Sequence, residues 1–291
     1  MKVTDNQYIS RNFIEHEIHY EFAYGAKGVK RNKKKKATPL QIAKQNHWNK
    51  VKNCRRTIQQ NFRSGDLWIT FAYKKGTRKS MEDFEKDIRR FQNALRVEYK
   101  LRGKELKWIR RLEIGKRGGL HAHFIINNIG DTQVISETWR KTVKDSGRAH
   151  IENIDESDGF NGLAEYICKE PTEEIQGQMY FLIPGQKKKL CSISTSRNLK
   201  RPEAVKKRMN AWAIRYLLTG QQSIKATEGF QIDKNSIRAG VNKYTGLPYI
   251  RYREERIKKA EPKKETLLSK AKGLLGGLKS GHRKYISLHK H

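Results

Sequence analysis

The sequence predicts an α+β fold: one mainly antiparallel sheet with helices on its faces. Three observations predict it. Short runs rich in β-branched and aromatic residues are interleaved with longer stretches of helical periodicity. Two apolar runs near the middle, "LKWIRRLEIG" and "LHAHFIIN", are joined by the turn residues "KRGG", which makes them a hairpin. The element order strand, helix, strand, strand, helix, strand, helix, strand suits a central hairpin covered by helices.

The elements follow in order. The cluster "KGVKRNKKKK" reads as an exposed basic arm. A long basic helix then begins at Thr38, which can cap, with Pro39 in the first helical position and no breaker before Gly65. "DLWITFAY", Asp66 to Tyr73, is a buried strand. Ser80 and Asp83 form a capping box, and Phe84, Ile88, Phe91 and Leu95 recur at helical spacing behind it. After the central hairpin, "VISETWRKTVKDSG" is a short helix ended by Gly147, and "RAHIENID" a strand. "GFNGLAEYICKE" is a helix stopped by Pro171. "KKKLCSISTS" reads as a strand, "RPEAVKKRMNAWAIRYLLTG" as a helix and "YTGLPYIRYRE" as a hairpin or edge strand. The expected organisation is an N-terminal arm and helix over 1–60, a central domain over 61–220, and a hairpin-like segment with a basic tail over 221–291.

Charge narrows the partner. The formal net charge is +33, from 63 Lys and Arg against 30 Asp and Glu. That imbalance self-repels unless a polyanion is bound, and nucleic acid is the first candidate because phosphate contacts release counterions. No apolar run is long enough to cross a bilayer, and "MKVTDNQYIS" has no signal-peptide core, so a cytoplasmic protein with no membrane partner is expected. Cys54, Cys168 and Cys191 form no paired motif, which suits a reducing compartment.

His121 and His123 lie two residues apart in a strand and therefore share one face. Two imidazoles side by side can grip a divalent cation. Glu113 sits on the preceding strand, and the turn "GKRGG" folds it back toward the pair if the register is right. Its alternative role is charge balance with Arg110 or Arg111. Two imidazoles and a carboxylate with open positions suit Mg2+ or Mn2+ holding a phosphate oxygen. Tyr166 and Lys169 are three residues apart, on one face of the expected helix. A tyrosine becomes a nucleophile when a metal polarises its target and a cation stands nearby. Trp68, Tyr73 and Trp139 are candidate base stackers, core packing being the alternative for the tryptophans.

Taken together, "LWITFAY", "LEIGKRGGLHAHFII" and "GLAEYICKE" resemble the three motifs of HUH endonucleases, where U is a hydrophobic residue. The match is to single-tyrosine rolling-circle replication initiators of bacterial plasmids, integrative elements and phages, over about Asn61 to Gly220. The resemblance implies a five-stranded antiparallel sheet with the histidine strand central. It implies His121, His123 and Glu113 as metal ligands, and Tyr166 as the nucleophile that leaves a 5′-phosphotyrosine link and a free 3′ hydroxyl. Lys169 would steady negative charge. The implied partners are single-stranded DNA at an origin, which can be a hairpin, with a host polymerase and helicase, in a bacterial cytoplasm.

Some relatives carry a second tyrosine one helical turn on, where this chain has Glu170. Glu165 and Glu170 are then candidate carboxylates for activating a water in a second cleavage. No Gly-x-x-x-x-Gly-Lys-Ser/Thr loop occurs, which argues against an attached ATP-driven helicase. Relaxases and transposases share the chemistry, but relaxases more often place tyrosine ahead of the histidines and use a third histidine. Ile125 breaks the His-x-His-x-His pattern of histidine-triad hydrolases. A non-catalytic nucleic-acid-binding protein is the rival from another class.

Overall fold

The computed structural model describes residues 2–21, 37–115, 118–170, 193–219, 223–241 and 247–257. In chain order the elements are β1 (Lys2–Ile9), β2 (Phe13–Glu21), α1 (Pro39–Asn61), β3 (Leu67–Tyr73), α2 (Met81–Leu101), β4 (Trp108–Ile114), β5 (Leu120–Ile126), α3 (Thr132–Thr142), β6 (Gly147–Asn153), α4 (Asn161–Cys168), β7 (Ile193–Thr195), β8 (Val205–Met209), α5 (Ala211–Leu218), β9 (Phe230–Val241) and β10 (Pro248–Arg256). Residues Met1–Arg256 form one compact unit. Among the described residues no helix is long and apolar enough to cross a membrane.

The strands form two antiparallel five-stranded sheets. The expected sheet is there, in the order β6-β3-β5-β4-β7, with the histidine strand β5 in the middle. Alternation gives it one mainly apolar face. Leu67, Ile69 and Phe71 of β3, with Ala122, Phe124 and Ile126 of β5, pack against Phe84, Ile88, Phe91 and Leu95 of α2 and Trp139 of α3. Each such fully buried side chain contributes about 1.5–3 kcal/mol. On the other face, Ile109 and Ile125 meet Ile58 and Phe62 of α1 and Ile167 of α4. That face also carries the polar site.

The second sheet, ordered β8-β1-β2-β10-β9, was not expected as a sheet; Pro248 to Glu254 of "YTGLPYIRYRE", read as a hairpin or edge strand, fall in β10, which lies inside it between β2 and β9. Its strands come from all three stretches of the expected division, so hydrogen-bonded pairing runs across the boundaries at 60 and 220. "RPEAVKKRMNAWAIRYLLTG" is not one helix. Val205–Met209 pair with β1, and the helix starts only after Asn210, whose Oδ1 accepts from Trp212 N at 3.1 Å. Strand pairing overrides propensity there. The basic cluster at 27–36, the first six residues of "KKKLCSISTS" and the C-terminal tail lie outside the described residues.

α1 joins the two sheets. Thr38 caps it in a complete capping box with Gln41. Its apolar side faces the histidine sheet, while its other side meets β2 through charge. Arg56 is buried and donates to Glu15 Oε2 at 2.7 Å and Glu17 Oε1 at 2.9 Å, with its guanidinium 3.4 Å from the centroid of Tyr8. Arg55 and Lys52 add pairs to Glu15 and Glu17 at 2.7 Å each.

Candidate metal centre and tyrosine helix

The β4–β5 register places Glu113 opposite His121 and Arg111 opposite His123, and the β3–β5 register places Thr70 opposite His123. All these residues fall on the face turned away from α2. Glu113 Oε2 lies 3.1 Å from His123 Nε2 and 3.8 Å from His121 Nε2. One ligand atom from each of the three residues lies within 4.8 Å of the others. The predicted register between the two strands is therefore the one observed.

The donor set fits a divalent cation. His121 Nδ1 faces the carbonyl of Gly119 at 3.4 Å, and a carbonyl only accepts, so that nitrogen carries the hydrogen and Nε2 presents a lone pair. His123 Nδ1 lies 3.0 Å from Thr70 Oγ1, which can orient the second ring in the same way. Two lone pairs and a carboxylate oxygen then converge. His123 Nε2 is buried and makes no directed hydrogen bond. A cation between them satisfies all three. Burial, then the neighbouring His123, lowers the pKa of His121 and favours the neutral imidazole a ligand needs. His123 is the largest cause holding the Glu113 carboxyl below its usual value. Burial opposes it, and the charge of Arg111 adds to it.

α4 brings the tyrosine. Gly159 and Phe160 both take left-handed backbone at φ 67° and 61°, turning the chain sharply into the helix. Phe160 is buried, which holds that turn in place. Asp158 Oδ2 accepts from Gly162 N at 2.7 Å and satisfies the first turn. Tyr166 stands 50 % exposed, with its ring edge-on to His123 at 5.5 Å and to Trp68 at 5.4 Å between centroids. Trp68 in turn stacks on His123 at 5.2 Å. Burial, with the charge of Glu113, raises the pKa of Tyr166, and Arg111 opposes that rise.

Lys169 caps the tyrosine helix, its N–H donating to the Tyr166 carbonyl at 3.2 Å. α4 ends at Cys168, and Lys169 is its C-cap, with ψ 135° and an exposed side chain. Pro171 disfavours helical backbone at Glu170, so the chain leaves the helix early. Glu165 is exposed, and Glu170 Oε1 lies 3.6 Å from His47 Nδ1 of α1. Tyr73 and Trp139 are core residues. Tyr73 donates to Asp87 Oδ2 at 2.7 Å, and Trp139 packs on Phe71.

Sequence reasoning missed two residues here. Thr70 and Arg111 share the site face by the same alternation that aligned Glu113 with the histidines. Arg111 is 1 % exposed and donates from Nη1 to the carbonyl of Ile167 at 3.1 Å, tying the last turn of α4 to the sheet. Its Nε and Nη2 are buried without a hydrogen-bond partner. Arg110 points to the other face and donates to Gln92.

Residues 66–171 match the family model described as replication-associated protein ORF2. The matched stretch runs from β3 to just past α4 and contains Glu113, His121, His123, Tyr166 and Lys169. This similarity supports a role in DNA replication, and with it DNA binding. The two-sheet α+β architecture is consistent with the HUH endonuclease fold. No curated protein and no solved structure matches the chain.

Proposed function

We propose that this protein is a metal-dependent, single-tyrosine HUH endonuclease that nicks and rejoins single-stranded DNA to start rolling-circle replication. The observation that carries this reading is the packing of Tyr166 against His123, 5.5 Å between ring centroids, beside the cluster of Glu113, His121 and His123. A nucleophile and a cation site this close suit phosphoryl transfer. The similarity of 66–171 to replication-associated proteins points the same way.

The Tyr166 phenolic oxygen attacks a backbone phosphorus. A phosphotyrosine bond forms as the bond to the 3′ oxygen breaks. The phenol gives up its proton and the leaving oxygen takes one up. The link conserves the energy of the phosphodiester, so a later hydroxyl can reseal the strand. Glu113, His121 and His123 would hold Mn2+ or Mg2+, which supplies a Lewis acid for the scissile phosphate. Lys169 supplies positive charge beside it, Arg111 fixes the tyrosine helix, and Trp68 limits the swing of the phenol ring. A host polymerase extends the free 3′ end in the bacterial cytoplasm, and a host helicase unwinds ahead. Tyr166 following the histidines, with Glu113 ahead of them, favours an initiator over a relaxase.

The test is covalent capture. The protein is incubated with Mn2+ and a labelled single-stranded DNA library carrying a randomised segment, then resolved under denaturing conditions. Wild type yields a shifted adduct whose DNA reveals the nick site, while Tyr166→Phe and His121→Ala yield none. An adduct that persists in Tyr166→Phe moves the nucleophile elsewhere. No wild-type adduct on any sequence leaves a DNA-binding protein without this chemistry.

A further inference from the structure

The second sheet carries a surface that the proposed chemistry does not use. β8 and α5, residues 205–218, hold Lys206, Lys207, Arg208 and Arg215 and no Asp or Glu. All four cations are exposed. Trp212 is 55 % exposed and Tyr216 45 %, four residues apart on α5 and so on one face of it. Arg215 stands 5.4 Å from the Trp212 ring centroid.

This face is held firmly. Ile214, fully buried, anchors α5 in a cluster with Val3, Ile18 and Ile250. Strand alternation puts Ile18 and Glu17 on opposite faces of the sheet. α5 packs on the Ile18 face and α1 on the Glu17 face. The sheet and α1 therefore stand between this surface and Tyr166. Among the described residues β8 is an edge strand, paired only with β1, and its alternating cations point to both sides of the edge.

We infer that β8 and α5 form a second contact surface for single-stranded DNA, separate from the tyrosine site. Exposed rings at helical spacing offer platforms to unstacked bases, and the cations track the backbone. Duplex DNA hides its base faces, so single strands are the better partner. The inference rests on the reading of the protein as a DNA nickase only for the role of that strand, which is to be held while Tyr166 works elsewhere on it.

The experiment measures full-length protein binding to fluorescein-labelled oligo-dT of about 10 and about 40 nucleotides by anisotropy, a range that brackets single-strand site sizes. Trp212→Ala/Tyr216→Ala is expected to weaken binding to the long oligonucleotide about ten-fold or more, and Trp212→Phe/Tyr216→Phe to restore most of it. Lys207→Glu/Arg215→Glu, which leaves the apolar anchor untouched, should weaken it similarly and flatten the salt dependence. Thermal melting checks that each variant is folded. Wild-type affinity in both the aromatic and the charge variant overturns the inference. So does a change of oligomeric state with DNA affinity intact, which would make the patch a contact between copies. Adduct capture on short DNA reports the tyrosine site independently. Loss of long-strand binding with adducts intact supports the surface, and normal binding without adducts fails the nickase reading as well.

Discussion

Thr70 Oγ1 lies 3.0 Å from His123 Nδ1 across the β3–β5 pair, so a hydroxyl orients the more buried of the two histidines. The geometry turns Nε2 toward Glu113. Groups that orient a ligand in this way typically contribute ten- to a hundred-fold in metal affinity. Thr70→Val, which keeps the shape and removes the hydroxyl, is expected to weaken Mn2+ binding by about ten-fold or more. Thr70→Ser should bind almost as wild type. Calorimetric titration of the metal-free protein checks both, and equal affinities in all three proteins would remove Thr70 from the site.

Metal binding should also depend on pH in a definite direction. His121 titrates below its ordinary 6.5 because burial and His123 disfavour its charged form. Glu113 titrates below its ordinary 4.5, chiefly through His123. In both cases the unfolded chain takes up protons first. Their contribution to stability is complete above pH 6.5, declines for His121 as pH falls below that value, and for Glu113 below 4.5. Mn2+ affinity should fall over the same acid range, since protons compete for the ligand atoms. Urea unfolding at neutral and mildly acid pH, with and without Mn2+, reads both effects. His121→Gln should shrink the first of them.

Arg56 is the charge on which the contact between α1 and β2 turns. Arg56→Ala removes the buried cation shared by Glu15, only 5 % exposed, and Glu17, leaving the first to Arg55 alone and the second to Lys52 alone. Breaking one side of such a buried network costs about 3–5 kcal/mol. Urea denaturation should show a loss of that size, and a loss below about 1 kcal/mol would mean the network is worth no more than a surface pair.

Gly115 closes the turn under His121. A Cβ there would lie 3.2 Å from His121 Cε1, tighter than ordinary contact. Gly115→Ala should push the ring by a few tenths of an ångström and weaken Mn2+ binding while the melting temperature stays close to wild type. Electron paramagnetic titration of free Mn2+ measures the first effect and calorimetry the second.

The histidine sheet was legible because its strands alternate cleanly. "LWITFAY" sends Leu67, Ile69, Phe71 and Tyr73 to an apolar face, which leaves Trp68 and Thr70 for the site face. The pairing of Glu113 with the histidines followed from the short Gly-rich turn. The second sheet was hidden for the opposite reason. β1 and β2 bury Asp5, Gln7, Glu15 and His16, so no apolar period marks them as strands. His16 lies 2.8 Å from Asp5 Oδ2 and stacks on Tyr252, the second contact joining segments more than two hundred residues apart. The end of α4 at Cys168 was not legible, because helical spacing says nothing about where a short helix stops.

The pairing of β2 with β10 also sets an order for how the chain is made. Every strand of the histidine sheet is available once residue 195 has been synthesised. The β1–β2 hairpin precedes that sheet in the chain, yet it must wait for residues 205–209 and 248–256, because an isolated two-stranded hairpin is marginal in water. Such distant pairing is slow and leaves strand edges unpaired in the meantime. The β1–β2 hairpin is thus among the last segments to be locked in place, and the growing chain holds every strand of the histidine sheet before it holds all those of the second.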